Sequence, residues 1–320
     1  MNKKALLIPL SIVTGSAALA AGAAVAAGEV FYNFALKKKK KRKALGQLAK
    51  NQTSDQPLQA QGDMRLEWVD EVNAKDVTVS SFDGLTLHAF LAENPGHTDK
   101  FAIILHGYTC HAREMGFYGE KFFEKGFSVL LPSARCHDES EGEFIDMGWY
   151  QRLDILDWIR MINQKYNDPQ IVLMGVSMGG AAVMMASGEN LPPNVVCAIE
   201  DCGFSSIKEQ FDHTLKNMMQ IPPQPLMSCA NFVTHIKTGI DINKDGYSTK
   251  CLKNCRIPML FIHGTADKYV PFWMLDKNYN AHPGPKQKYI VVGAPHASSA
   301  WHGGQEYWDK VFAFVESFIS

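Results

Sequence analysis

The chain has 320 residues, 46% of them hydrophobic and 20% charged, at a formal net charge of −1; this excludes a disordered or collagenous chain and suits one large domain with accessory segments. The charge is uneven, because the first 50 residues hold ten Lys or Arg against Glu29 alone, leaving 22 basic and 32 acidic residues in the remainder. A body that acidic makes a poor partner for nucleic acid, whose phosphates need clustered Lys and Arg.

Residues 5–28 contain no charge over 24 positions, about 36 Å as a helix and enough to cross a bilayer core. The run KKKKKRK follows, from Lys37 to Lys43. A cleaved signal peptide with an A-x-A site at 24–26 is the competing reading, but the apolar run exceeds an ordinary h-region. Positive charge beside a span stays in the cytoplasm. The expectation is therefore a single-pass transmembrane helix (1–36) in the cell membrane, a basic and polar linker (37–64) touching lipid headgroups, and a cytoplasmic folded body (65–320). Seven cysteines, an odd number without a C-x-x-C, give neither a disulfide framework nor a zinc pattern and read as reduced thiols.

Past residue 65 the texture becomes that of a folded domain. DVTVSS and LTLHAFLA, around Asp83-Gly84, predict a strand–turn–strand hairpin. FAIILHG (101–107), FSVLLP (127–132), QIVLMG (170–175), VVCAIED (195–201), IPMLFIHG (257–264) and QKYIVVG (287–293) are short apolar runs typical of buried strands. Helical periods fall between them at 113–125, 149–166, after Ser177 and at 300–319. Alternating strand and helix implies a largely parallel sheet covered on both faces, an α/β fold. Residues 204–253 break the alternation and read as a cap insertion over the carboxyl edge. Their DINKDG (241–246) begins like a calcium loop, but Leu252 occupies the position of the bidentate Glu, so a turn is expected.

The stretch LMGVSMGGAAVM (173–184) sits where a strand meets a helix. G-x-S-x-G in that setting is a nucleophile elbow, with Ser177 held in a strained turn and glycines at 175 and 179 relieving collisions. A serine nucleophile needs a base, and the base an orienting acid, in the order Ser, acid, His. Asp267 follows Gly264 by three residues and His296 follows Gly293 by three, so both land on the same sheet edge. Asp201 is the rival acid and His302 a weak rival base, while His106 and His263, beside strand-end glycines, are expected to bond backbone. The oxyanion hole should combine the backbone amides of Met178 and Tyr108.

These residues resemble the α/β-hydrolase superfamily across 65–320, most closely the bacterial serine hydrolases grouped with prolyl oligopeptidase-like and S33-type peptidases. The resemblance is carried by HGYT (106–109), GVSMGG (175–180), HGTADKYVP (263–271) and PHASS (295–299). The segment 134–159 is similar to the family loop through Arg135, His137, Ser140 and Gly142, with Asp138 in place of a glycine. The resemblance implies an α/β-hydrolase fold and acyl transfer to water through an acyl-Ser177 intermediate, without a cofactor or metal. The expected substrate is a small acyl ester. An amidase or peptidase, a perhydrolase variant and a non-catalytic hydrolase-like binding protein are the alternatives.

Overall fold

Among the residues that the computed structural model describes (10–38, 64–96 and 99–319), the apolar runs form one sheet. Its strands are β1 (Lys75–Ser80), β2 (Thr86–Ala92), β3 (Lys100–Leu105), β4 (Ser128–Pro132), β5 (Gln170–Val176), β6 (Val195–Asp201), β7 (Met259–Gly264) and β8 (Lys286–Val291). They lie in the order β1-β2-β4-β3-β5-β6-β7-β8. β1 pairs antiparallel with β2, and β2 with β4; every later pairing is parallel.

Side chains alternate across a strand, so a strand covered on both faces must be apolar throughout. β3 shows this directly. Phe101, Ile103 and Leu105 enter one core, which α4 (Gln151–Tyr166) and α5 (Met178–Ala186) cover with Trp158, Ile162 and Met178. Ala102 and Ile104 enter the other, beneath α3 (Gly116–Glu124) and α10 (Ser299–Glu316), which supply Phe122, Trp308 and Phe312. β5 divides the same way, with Ile171 and Leu173 on the first face and Val172 and Met174 on the second. Each such side chain contributes about 1.5–3 kcal/mol on burial, so the central strands carry much of the fold's stability. The β1–β2 hairpin closes where Ser81 N donates to Leu85 O and Ser81 Oγ to Asp83, with Gly84 at φ 87°.

Between β6 and β7 the chain forms α6 (Ile207–His213), α7 (Leu226–Thr238) and the short α8 (Ser248–Leu252). DINKDG is a turn: Asp241 accepts from Asn243 N and Asn231, and Asp245 accepts from Asp241 N. These carboxylates are turned onto their own loop. Two helices carry too short a pattern to stand out in the sequence: α2 (Trp68–Glu71), and α9 (Trp273–Ala281) after β7. All seven cysteines are free thiols.

The N-terminal expectation needs correction. A single helix, α1, runs Leu10–Ala35, and residues before Leu10 lie outside the described ones. Among the described residues no helix is long and apolar enough to cross a membrane, so the transmembrane helix is not supported. The helix is built largely of Ala and Gly, with Glu29 inside it. Its last turns dock on protein: Phe31, Tyr32, Ala35 and Leu36 are buried, and Phe31 meets Phe211 edge-on at 5.1 Å. Gly28 packs so closely on α7 that a Cβ there would stand 2.4 Å from the Cys229 carbonyl oxygen. Of the basic run, Lys37 and Lys38 are described. They pair with the 143–144 loop through a Lys37–Phe144 bridge and Lys38 N donating to Glu143 O. Lys39 to Lys43 and the polar linker lie outside the described residues.

Candidate active site

β5 ends in an abrupt reversal. Ser177 has φ 57° and ψ −116°, a backbone state that a side chain adopts only when its surroundings enforce it. The glycines make room for backbone rather than for side chains. A Cβ on Gly175 would stand 2.2 Å from Gly179 O, and one on Gly179 would stand 2.2 Å from Leu105 O. The turn is pinned by Ser177 N donating to Asp201 O at 2.8 Å. α5 starts at Met178, whose amide belongs to the helix's first turn and has no acceptor within the helix. The serine oxygen thus stands at a helix N-terminus, where developing negative charge is favoured.

Two loops complete the arrangement. His296, in the loop after β8, has Nε2 at 2.9 Å from Ser177 Oγ. Its Nδ1 donates to Asp267 Oδ2, in the loop after β7, at 2.7 Å. Ser177, His296 and Asp267 are 6%, 7% and 5% exposed, so water competes little for these bonds. Asp267 Oδ1 accepts from the amides of Tyr269 and Val270, each at 2.9 Å. Burial alone would raise this carboxyl. The charge of His296 and hydrogen bonds from His263 and His296 outweigh burial and hold it down to about 2. The Tyr269 ring lies 4.9 Å from the imidazole and limits its rotation.

The rival residues are engaged elsewhere. Asp201 faces α10, accepting from Ser299 Oγ at 2.8 Å and Tyr307 OH at 3.0 Å; burial raises it to about 6. His302 is exposed near the start of α10. His263 Nε2 donates to Val270 O at 2.9 Å and lies 3.3 Å from Asp267 Oδ2. Burial opposes its charge, but Asp267 prevails and raises its pKa. The Cys202 sulfur lies within 4.8 Å of donor atoms of Asp267 and His296. Burial keeps it a neutral thiol, well above the usual pKa.

The loop 107–110 passes directly over the serine: a Cβ on Gly107 would be 3.4 Å from Ser177 Cβ. Two histidines hold it from beneath. His106 Nε2 accepts from Ala134 N at 3.0 Å, which forces the proton onto Nδ1, and Nδ1 donates to Gly107 O at 2.8 Å. Burial lowers its pKa, keeping the ring neutral as both bonds require. His137 Nε2 accepts from Thr109 N at 3.3 Å while Nδ1 donates to Arg135 O at 3.1 Å. Nothing in the sequence spacing marks His137 for this part. Its signal in the sequence is its place in the segment similar to the family loop, two residues past Arg135. That arginine, Arg135, forks onto Asp154 (2.5 and 2.8 Å) and Asp83 (2.9 and 3.2 Å). Asp138 has φ 44°, in the left-handed region that favours glycine. Its carboxylate accepts from Ala112 N, Ser133 Oγ and the His111 ring. Tyr108 directs its hydroxyl to Ala35 O at the end of α1, at 2.6 Å, so its ring is more than a pocket wall.

Residues 96–245 match the family described as serine aminopeptidase, S33. The uncharacterized protein YqkD of Bacillus subtilis (strain 168) is 26% identical over 224 residues, which is 70% of this chain and 73% of that protein. The solved esterase Pf2001 of Pyrococcus furiosus superposes with a TM-score of 0.64 at 20% identity, covering 78% of this chain and 95% of its own. The acylaminoacyl peptidase of Pyrococcus horikoshii does so at 0.56 and 16%, covering 76% of this chain and 41% of its own. Sheet order, elbow and these likenesses agree: the chain has the α/β-hydrolase fold.

Proposed function

We propose that the protein is a serine hydrolase that cleaves small carboxylic esters through an acyl-Ser177 intermediate. The observation that carries this reading is the hydrogen-bonded series Ser177 Oγ, His296, Asp267, with links of 2.9 and 2.7 Å. His296 Nε2 takes the serine proton as Oγ attacks the ester carbonyl, and Asp267 holds the ring in the required tautomer and stabilises the imidazolium. The carbonyl oxygen becomes an oxyanion, which receives the amides of Met178 and Tyr108. The imidazolium returns its proton to the departing alkoxide, leaving the acyl enzyme. Water, deprotonated by the same ring, then releases the acid and regenerates Ser177. In this reading the helices between β6 and β7 are the cap that selects the acyl group.

The same machinery serves amides, and the match to a serine aminopeptidase family favours a peptidase as the second reading. Ser177→Ala should abolish hydrolysis of p-nitrophenyl acetate, with the thermal midpoint nearly unchanged. Retention of most of the turnover would overturn the assignment. Comparing short-chain p-nitrophenyl esters with aminoacyl p-nitroanilides separates the two readings, since a peptidase would show the higher kcat/KM on the anilides.

A further inference from the structure

The oxyanion loop is held from two sides, and only one of them belongs to the sheet. His106 and His137 fasten Gly107 and Thr109 to the 134–137 loop. On the other side the Tyr108 hydroxyl reaches across 73 residues of sequence to the carbonyl of Ala35, the last residue of α1. The chain just beyond that carbonyl is fixed as well. Ile145 N donates to Leu36 O at 2.8 Å, and Lys38 N to Glu143 O at 2.9 Å. The body of the helix is seated on the excursion between β6 and β7. Gly28 lies against Cys229 and Val233, Phe31 against Phe211, and Glu29 pairs with Lys237 at 3.0 Å.

We propose that α1 is a positioning element of the acyl-transfer site: its C-terminal end holds Tyr108, and through Tyr108 the backbone amide that receives the oxyanion. The proposal rests on the acyl-transfer reading above. An oxyanion donor works only at its required distance from the developing charge, and misplacement by about an ångström is felt strongly in the rate. Gly107 removes the side chain that would otherwise brace this loop against the serine, and the two tethers hold it from either side. Any force that lifts α1 from α7 draws Tyr108 with it. The rate then falls while Ser177, His296 and Asp267 stay in register.

The test uses the full chain. Tyr108→Phe removes the hydroxyl that makes the tether and keeps the ring. The expected result is a kcat for p-nitrophenyl acetate about tenfold lower, part of the roughly 10²–10³ lost when a donor is removed outright, with KM and thermal midpoint nearly unchanged. Gly28→Leu attacks the seat of α1 on α7, away from the triad, and should lower kcat in the same way. In the double variant the two losses should not multiply, because both act through one tether. Tyr108→Phe at wild-type kcat, or losses that multiply, would overturn the proposal. If Gly28→Leu does not fold, Tyr108→Phe alone decides. An active Ser177→Ala would instead sink the acyl-transfer reading, so the two failures are distinguishable.

Discussion

Asp201 ends β6 and Asp267 follows β7, the neighbouring strand; both are buried, yet their carboxyls are shifted in opposite directions. Asp267 accepts two backbone amides and the proton of an imidazole, and stays ionised down to about 2. Asp201 accepts only two hydroxyls, and burial raises it to about 6. The difference lies in what the surrounding chain can donate. Two histidines beside Asp267 outweigh its burial and hold it ionised, whereas the hydroxyls offered by α10 do not outweigh burial at Asp201, whose pKa rises. Only the first kind of aspartate can hold a histidine in one tautomer throughout a reaction cycle.

The largest expected effect breaks this pair apart. Asp267→Asn should lower kcat by about 10⁴, because an amide no longer imposes the correct imidazole tautomer. Asp201→Asn should leave kcat within a few-fold of wild type. Steady-state ester hydrolysis checks both, and comparable losses would mean that the acid is shared. Next in size is Arg135→Met, which leaves Asp154 and Asp83 without their shared guanidinium. Removing one member of a buried ion pair costs about 3–5 kcal/mol, to be read from urea unfolding.

The smallest effect sharpens the contrast through pH, and its two halves have opposite signs. Asp267 lies below its ordinary value of 3.8 when folded, so its contribution is present above about pH 4 and is lost as pH falls toward about 2. Asp201 lies above that value when folded. The folded state keeps its proton longer, and stability declines as pH rises from about 4 to about 6. Each is worth about 2–3 kcal/mol. Urea unfolding across this range should therefore find a shallower decline in Asp201→Asn, the remainder belonging to Asp154 and Glu200, which burial raises to about 7 and about 8. A decline that persists unchanged would show that Asp201 is ionised at the lower pH.

What the sequence makes legible here follows from local chemistry. A strand covered on both faces must be an unbroken apolar run, and QIVLMG and IPMLFIHG stand out for that reason. Loops that leave such strands emerge at one edge, so residues three positions past Gly264 and Gly293 meet Ser177 although 90 and 119 positions separate them in the chain. The backing of the 107–110 loop is not legible in this way. His137 acquires its part only when the 134–142 loop folds back on Thr109, a contact set by the tertiary structure. The seat of α1 is harder still. An uncharged run of Ala and Gly reads as a bilayer span, and its partners Cys229 and Phe211 lie about 200 residues away without a periodicity that points back to it. Gly28 was the available clue, since small residues let helices approach closely.

The most direct test of the account is the site of covalent modification. A fluorophosphonate probe added to the full chain, followed by peptide mass spectrometry, should place one adduct on Ser177 and none on the His296→Ala variant. Folded wild-type protein that takes no label, or takes it on another residue, would contradict the claim that His296 activates Ser177.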